Sequence, residues 1–337
     1  MHRRLKSVLR AAGVVLGLAA VVVGVKWTGV EAIHKALAQV GANIAWMFVA
    51  YAAGTAVAAA PWRKLLPGSL RPSWGATFAS RFAASGVNAL LPFFGLGEAS
   101  RLLWLPRGQR SPSLPALVVD RLLFVAAGTP ILVVAALAAI RVPAVPHSYV
   151  LAAVVSAVVI ALAVAAVAIG AARGRLVGKM RWALVIFGVP PTPVKAGNGK
   201  DGAADPVDSG LHALLTGSRR PIVAAFALHV GARLLLAAEI YAGLKILGVH
   251  VGVKATLIFI AIPIGLSVIG TFVPGQIGLQ EGASALVAAA LGIGPATGIA
   301  LVFLQRLRQL VFVPLAGLLI ALLPYGPRTT SDPPGTS

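Results

Sequence analysis

The chain contains no cysteine. That excludes a disulfide framework, a thiol nucleophile and a thiolate metal site. It is also poor in charge: only 11% of residues are charged, and acids are the scarcer kind, 9 against 29 bases. Catalytic signatures are missing as well. No GxSxG elbow, Walker loop or HExxH helix occurs. His229, the one histidine deep in an apolar segment, has no second histidine at helical spacing to share a metal.

What remains is apolar. Hydrophobic residues make up 58% of the chain and the mean hydropathy is +0.90, values outside the range of ordinary soluble domains. A bilayer core about 30 Å thick is crossed by roughly 20 apolar residues in a helix. Apolar segments fall near residues 8–27, 43–60, 74–92, 95–105, 114–140, 147–171, 219–243, 254–273, 277–292 and 295–323. They do not alternate as barrel strands do. The fold class is therefore an all-α polytopic membrane protein. The formal net charge of +20 does not point to nucleic acid, because most Lys and Arg lie in short loops beside apolar segments, the positive-inside pattern.

Two segments are too short to cross: 95–105 would rise about 16 Å and 277–292 about 24 Å. Each follows a longer segment that ends in a proline-glycine break, Pro92, Gly95 and Gly97 in one case and Pro274, Gly275 and Gly278 in the other. These residue types end helices. The pattern predicts two re-entrant hairpins, 74–105 and 254–292, beside six full spans.

The first segment, 8–27, has the basic head of a signal peptide but too long an apolar body, and reads as a retained helix. Arg3, Arg4, Lys6 and Arg10 place the N-terminus in the cytoplasm. Following the spans, the loops with Arg63, Lys64 and Arg71, with Arg107 and Arg110, and the strongly basic 172–218 stretch all return to that side. Lys26, Lys35, Lys245 and Lys254 are left outside, and the C-terminus ends inside. The organisation is then a head, first helix and outer loop (1–42), a first membrane half (43–171), a cytoplasmic loop (172–218), a second half (219–323) and a tail (324–337). Within the loop, 173–188 mixes basic and apolar residues and 190–210 reads as a flexible linker. The six tryptophans lie mostly near segment ends, where an aromatic belt would place them.

The hairpins share a phrase. GLGEAS after Pro92 returns as GLQEGAS after Pro274, and downstream Arg121 follows Glu98 by 23 residues as Arg306 follows Glu281 by 25. A proline follows each arginine, Pro130 and Pro314. With the topology above, the copies face opposite ways, the inverted-repeat arrangement with broken helices that many transporters use.

Charges inside apolar segments are the second signal: Arg81, Glu98, Arg101, Asp120, Arg121, Arg233, Glu239, Glu281, Arg306 and Arg308. Each would cost about 2.5–3.5 kcal/mol at the centre of a lone helix. Ten left in lipid would exceed a typical stability margin of about 5–15 kcal/mol, so they must pair or face a wet cavity. Glu98 and Arg101, three apart, share a helical face. Asp120 is expected to reach Arg81 or Arg101, and Glu281 to take Arg306 or Arg308. Six cations against four anions leave an arginine surplus that suits an anionic ligand, since Arg clasps phosphate in a fork.

The pattern N-x-LLP-x-x-G-x-GE-x-x-R from Asn88 to Arg101, the VVDRLL around Asp120, and PGQIGLQEGA from Pro274 followed by an arginine-bearing helix resemble the lysylphosphatidylglycerol synthase transmembrane-region family. The likeness spans roughly residues 10–323. It implies a flippase-type module that moves lipids between leaflets of a bacterial inner membrane. Best-known members also carry a cytosolic aminoacyl-transferase domain. The short tail after Pro324 leaves no room for one, so lipid synthesis is not expected from this polypeptide. The expected function is a non-enzymatic translocator of an anionic or zwitterionic lipid, with no cofactor or metal. Its partners would be membrane lipids, and no nucleic acid. The substrate-binding residues would be Arg81, Glu98, Arg101, Asp120, Arg121, Glu281, Arg306 and Arg308. The rival readings are an accessory protein or enzyme of lipid-linked sugar or hopanoid synthesis, and a membrane partner of a separate lipid synthase.

Overall fold

A backbone inside a bilayer must satisfy its own hydrogen bonds, so runs rich in Ala, Leu and Val at this length become helices. The computed structural model describes residues 40–90, 96–173, 206–269 and 278–322, and among them it has no strand. The helices are α1 (Ile44–Leu65), α2 (Trp74–Leu90), α3 (Leu96–Ser100), α4 (Arg107–Ala126), α5 (Gly128–Ile140), α6 (His147–Ala172), α7 (Pro206–Thr216), α8 (Arg219–Ile246), α9 (Val253–Ile269), α10 (Leu279–Ala290) and α11 (Pro295–Leu322). Among the described residues five stretches are long and apolar enough to span: Gly41–Leu65, Pro112–Ile140, His147–Ala171, Arg219–Ile246 and Pro295–Leu319. This is a multi-pass membrane protein. The sixth expected span, 8–27, lies outside the described residues.

Two local expectations are corrected. The expected segment 95–105 is not one helix but α3 followed by a 3-10 turn, Arg101–Trp104. The span 114–140 is present as Pro112–Ile140, with a single turn residue, Ala127, between α4 and α5. The part of the expected linker from Pro206 onward is helical, because Val207 and Leu211 find a buried apolar seat and Gly210 lies against Pro115.

The joint at Ala127 is also a point of close packing. A Cβ on Gly128 would lie 2.9 Å from the Ile264 side chain, so glycine lets α9 approach closely. Pro130, in the first turn of α5, sits where a backbone donor would have no partner.

The two arms of the first hairpin pack together. Gly97 N–H donates to Asn88 Oδ1 at 3.2 Å. A Cβ at Gly97 would run into the Ala84 carbonyl and the Asn88 side chain. In the second hairpin α9 packs on α10. Gly278 adopts φ +82°, a conformation that favours glycine, and its N–H donates to Glu281 Oε2 at 2.9 Å. The predicted breaks at Pro92, Gly95, Pro274 and Gly275 lie outside the described residues.

Apolar clusters mark two poles. At one, Trp62, Leu65 and Leu66 leaving α1 meet Leu102 and Leu105 leaving the first hairpin, with Ala171, Leu211 and Ala225. At the other, Leu247 and Val251 after α8 share a cluster with Leu291 and Ile293 after α10 and with Val145 between α5 and α6. Tyr149 Oη–H donates to the Ile258 carbonyl there, tying the starts of α6 and α9. The described outer ends of the expected hairpin 74–105 thus lie with one cluster and those of 254–292 with the other. Helices α1 and α8 run antiparallel between the poles: Gly54 approaches Ala232 and Leu235, while Met47 approaches Gly243.

Tryptophan placement is corrected in part. Trp46 and Trp74 are exposed, as an interfacial belt requires, but Trp62 and Trp104 are buried in packing. On the lipid side, α6 presents Leu151, Val155, Val158 and Leu162, an apolar stripe that a bilayer covers.

The absence of native cysteine allows a direct check of the poles. Single cysteines at exposed Ser69 and Ser218 should react with an impermeant maleimide from one side of the membrane, and those at Ala144 and Gly252 from the other. Labelling of all four from the same side would break the two-pole arrangement.

Candidate functional site: a buried arginine network

The site is built from three helices and the short hairpin return. Helix α2 contributes Arg81, α3 and its 3-10 turn contribute Glu98 and Arg101, α4 contributes Asp120, Arg121 and Phe124, and α8 contributes His229 and Arg233. Sequence spacing explains the faces. Glu98 and Arg101 are three apart, His229 and Arg233 four apart, and such pairs lie side by side on a helix.

Glu98 is the hub. Its Oε1 accepts from Arg81 at 2.8 Å and lies 3.8 Å from an Arg121 Nη; its Oε2 accepts from Arg101 at 3.1 Å. The same Arg101 nitrogen donates to Asp120 Oδ2 at 2.6 Å. Asp120 Oδ1 accepts from His229 Nε2 at 3.0 Å. Arg101 is wholly buried, its guanidinium 4.5 Å from the Trp62 ring centre.

A second feature is the ring of Phe124. The guanidiniums of Arg81, Arg121 and Arg233 lie 5.1, 5.2 and 4.5 Å from its centre. Arg233 donates to the Phe124 carbonyl at 2.8 Å and has no carboxylate partner among the described residues, although its residue is only 8% exposed. Arg121 is the accessible member, with 41% of its side chain exposed. The network therefore holds four guanidiniums against two carboxylates.

The second hairpin is balanced. Glu281 accepts from Arg306, through Nε at 2.7 Å and through an Nη. Arg308 pairs with Glu239 and lies over the Tyr51 ring at 3.9 Å. The whole arginine surplus counted in the sequence thus falls in the Glu98 network.

Most expected pairs are present. Glu98 meets Arg101, Asp120 takes Arg101 rather than Arg81, and Glu281 takes Arg306. Arg308 goes to Glu239 because α8 lies alongside α11 there. The eight expected site residues do not form one constellation. Arg81, Glu98, Arg101, Asp120 and Arg121 assemble, whereas no ion pair among the described residues joins Glu281, Arg306 or Arg308 to them. Sequence reasoning did not place His229, Arg233, Trp62 or Phe124 in the site. The four-residue step from His229 to Arg233 in an apolar helix was the available signal.

A family model, the lysylphosphatidylglycerol synthase TM region, matches residues 11–317. The chain belongs to that family. No curated protein and no solved structure matches it. The family match covers both hairpins, so the network and the Glu281–Arg306 pair both lie within the shared region.

Stability should separate the two clusters. Breaking a buried ion pair from one side leaves a bare charge and costs about 3–5 kcal/mol. A pair open to solvent contributes about 1 kcal/mol or less, and Glu281 and Arg306 are about a quarter exposed (26% and 25%). Glu98→Gln should therefore lower the unfolding midpoint in detergent much more than Glu281→Gln. Equal losses would show that Glu98 is not the hub.

Proposed function

We propose that the protein is a lipid translocator of the bacterial inner membrane, acting on a lipid whose headgroup carries a phosphate. The observation that carries this reading is the excess of two guanidinium charges in the Glu98 network. At membrane depth an unmatched charge costs about 2.5–3.5 kcal/mol or more, so the network is complete only with an anion beside it. A lipid phosphate is the anion a bilayer supplies. Arg121, accessible, and Arg233, without a carboxylate, are the two charges left for it, and a guanidinium fork suits phosphate oxygens. Of the expected substrate-binding residues, Arg101 is enclosed by its own carboxylates and Arg306 is occupied by Glu281, so neither is assigned the phosphate.

The two-pole arrangement supports movement rather than simple binding. Hairpins that start from opposite poles are the parts from which alternating-access transporters are built. The repeated Glu-Arg spacing pairs in both halves, Glu98 with Arg121 and Glu281 with Arg306. Arg63, Lys64, Arg71, Arg173, Arg219 and Arg220 gather at the first pole, against Arg141, Lys245 and Lys254 at the second. By the positive-inside rule the first pole is cytoplasmic, and both termini then lie there too. The lipid tails stay in the bilayer while the headgroup passes the network, and no chemical step is required.

In proteoliposomes the protein should carry a fluorescently tail-labelled anionic phospholipid between leaflets, scored by dithionite quenching. Arg121→Ala with Arg233→Ala should slow this at least tenfold, while Lys245→Ala, at the far pole, should leave the rate unchanged. Wild-type speed in the double variant would reject the assignment.

A further inference from the structure

His229 belongs to the network, yet holding a phosphate makes no use of it. Its side chain is wholly buried, and Nε2 lies 3.0 Å from Asp120 Oδ1. The other ring nitrogen, Nδ1, is buried and has no hydrogen-bond partner among the described residues. An ionised carboxylate can only accept, so Nε2 carries a hydrogen; in the neutral ring Nδ1 is then a bare lone pair. A side chain kept only to orient Asp120 needs one donor, and an amide would supply that. A second, vacant base in the same ring is what a proton site requires. Histidine is also the residue type whose charge ordinarily changes between about pH 5 and 8, whereas carboxylates and guanidiniums titrate outside that range.

The surroundings decide what the charge on the ring would follow. From α4 come Asp120 and Arg121, with Arg107 and Arg110 in its first turn. Through Asp120 the ring is linked to Arg101, and through Arg101 to Glu98 and Arg81. On α8 itself Arg233 is one turn away, Glu239 is taken by Arg308, and Arg219, Arg220, Tyr241 and Lys245 lie towards the ends. Helix α1 brings Tyr51, set under Arg308, Arg63, set over Trp74, and Lys64 in its last turn. Helix α9 has Lys254 at its start, α5 has no titratable side chain, and Arg306 and Arg308 of α11 hold carboxylates of their own. Asp120 is thus the one acid bonded to the ring, and Arg101 already shares it.

With His229 neutral, four guanidiniums face two carboxylates; an imidazolium would leave three cations unmatched. An anion at Arg121 and Arg233 reverses that balance. All three side chains border one ring: Phe124 lies 5.6 Å from the His229 ring and 5.2 and 4.5 Å from the two guanidiniums. A negative charge brought to this group favours the protonated imidazole.

We infer that His229 is a proton-binding site, filled together with the anion at Arg121 and Arg233. The inference rests on the phosphate reading above and adds a second ligand to it. The site is closed in this structure, with His229 0% and Asp120 1% exposed, so its proton exchanges only when the packed helices part. In a translocator the proton then crosses with the headgroup.

The test is proton uptake by the purified full chain in weakly buffered detergent, read with an indicator dye as phosphatidylglycerol is added. The lipid phosphodiester stays ionised between about pH 5 and 8, so uptake over that range belongs to the protein. An anion that favours the imidazolium draws protons in as it binds. By reciprocity its affinity falls as pH rises, at least about fivefold over the same range. Uncharged diacylglycerol should draw in none. His229→Gln keeps a donor for Asp120 and should abolish both the uptake and the pH dependence. Should that variant not fold, the reverse one decides: with His2, His34, His147, His212 and His250 all replaced by glutamine, uptake should persist. Binding without uptake, uptake that survives His229→Gln, or uptake lost from the reverse variant would each overturn the inference. Lipid that crosses between leaflets yet binds without uptake keeps the translocator and removes the proton site. Uptake without crossing does the opposite.

Discussion

One carboxylate, Glu98, holds three guanidiniums in a place where lipid offers no solvation. In water such a contact would be worth little, because surface ion pairs contribute about 1 kcal/mol at most. Away from water it becomes a constraint on geometry, since each charge must keep a partner or be exposed to hydrocarbon. That requirement explains the shape of the first hairpin. The five-residue helix α3 cannot stabilise itself by length. It is held by Glu98 to α2 through Arg81 and to α4 through Arg121, while Arg101 in the turn that follows reaches Asp120.

Glycine supplies what the charges need, close approach. Gly97 lets the hairpin return run against the Ala84 carbonyl, and Gly128 lets α9 reach the joint between α4 and α5. The packing is reciprocal between the halves. The first arm of the first hairpin, α2, packs on the long span α11 that follows the second hairpin. The first arm of the second hairpin, α9, packs on α5, the continuation of the span that follows the first. A displacement of either hairpin is therefore felt by the other half.

Much of this was legible in the sequence. Hydropathy and length marked the spans, and the buried charges could be listed because charge in an apolar run is costly. Pair choices followed where partners were close in sequence, as for Glu98 and Arg101. They were ambiguous where helices from distant segments met. Nothing local tells Arg308 to choose Glu239 over Glu281; that depends on how α8 lies against α11. His229 looked isolated because its partner, Asp120, is 109 residues away. Trp62 and Trp104 misled for a related reason. A position near a segment end is interfacial only if it faces outward, and Trp62 instead turns inward onto Arg101.

The Glu98–Arg121 and Glu281–Arg306 pairs share their spacing but not their surroundings. Arg306 and Arg308 each have their own carboxylate, and both pairs are accounted for by holding α10 and α8 to α11. A purely structural design would repeat that economy around Glu98. Instead Arg81, Arg121 and Arg233 crowd one phenylalanine ring, and cation–π attraction, about 0.5–2 kcal/mol per contact, is too weak to offset their mutual repulsion away from water. Two carboxylates cannot neutralise four arginines. That excess of two guanidiniums, set between α4 and α8, is the feature on which the proposed anionic headgroup rests.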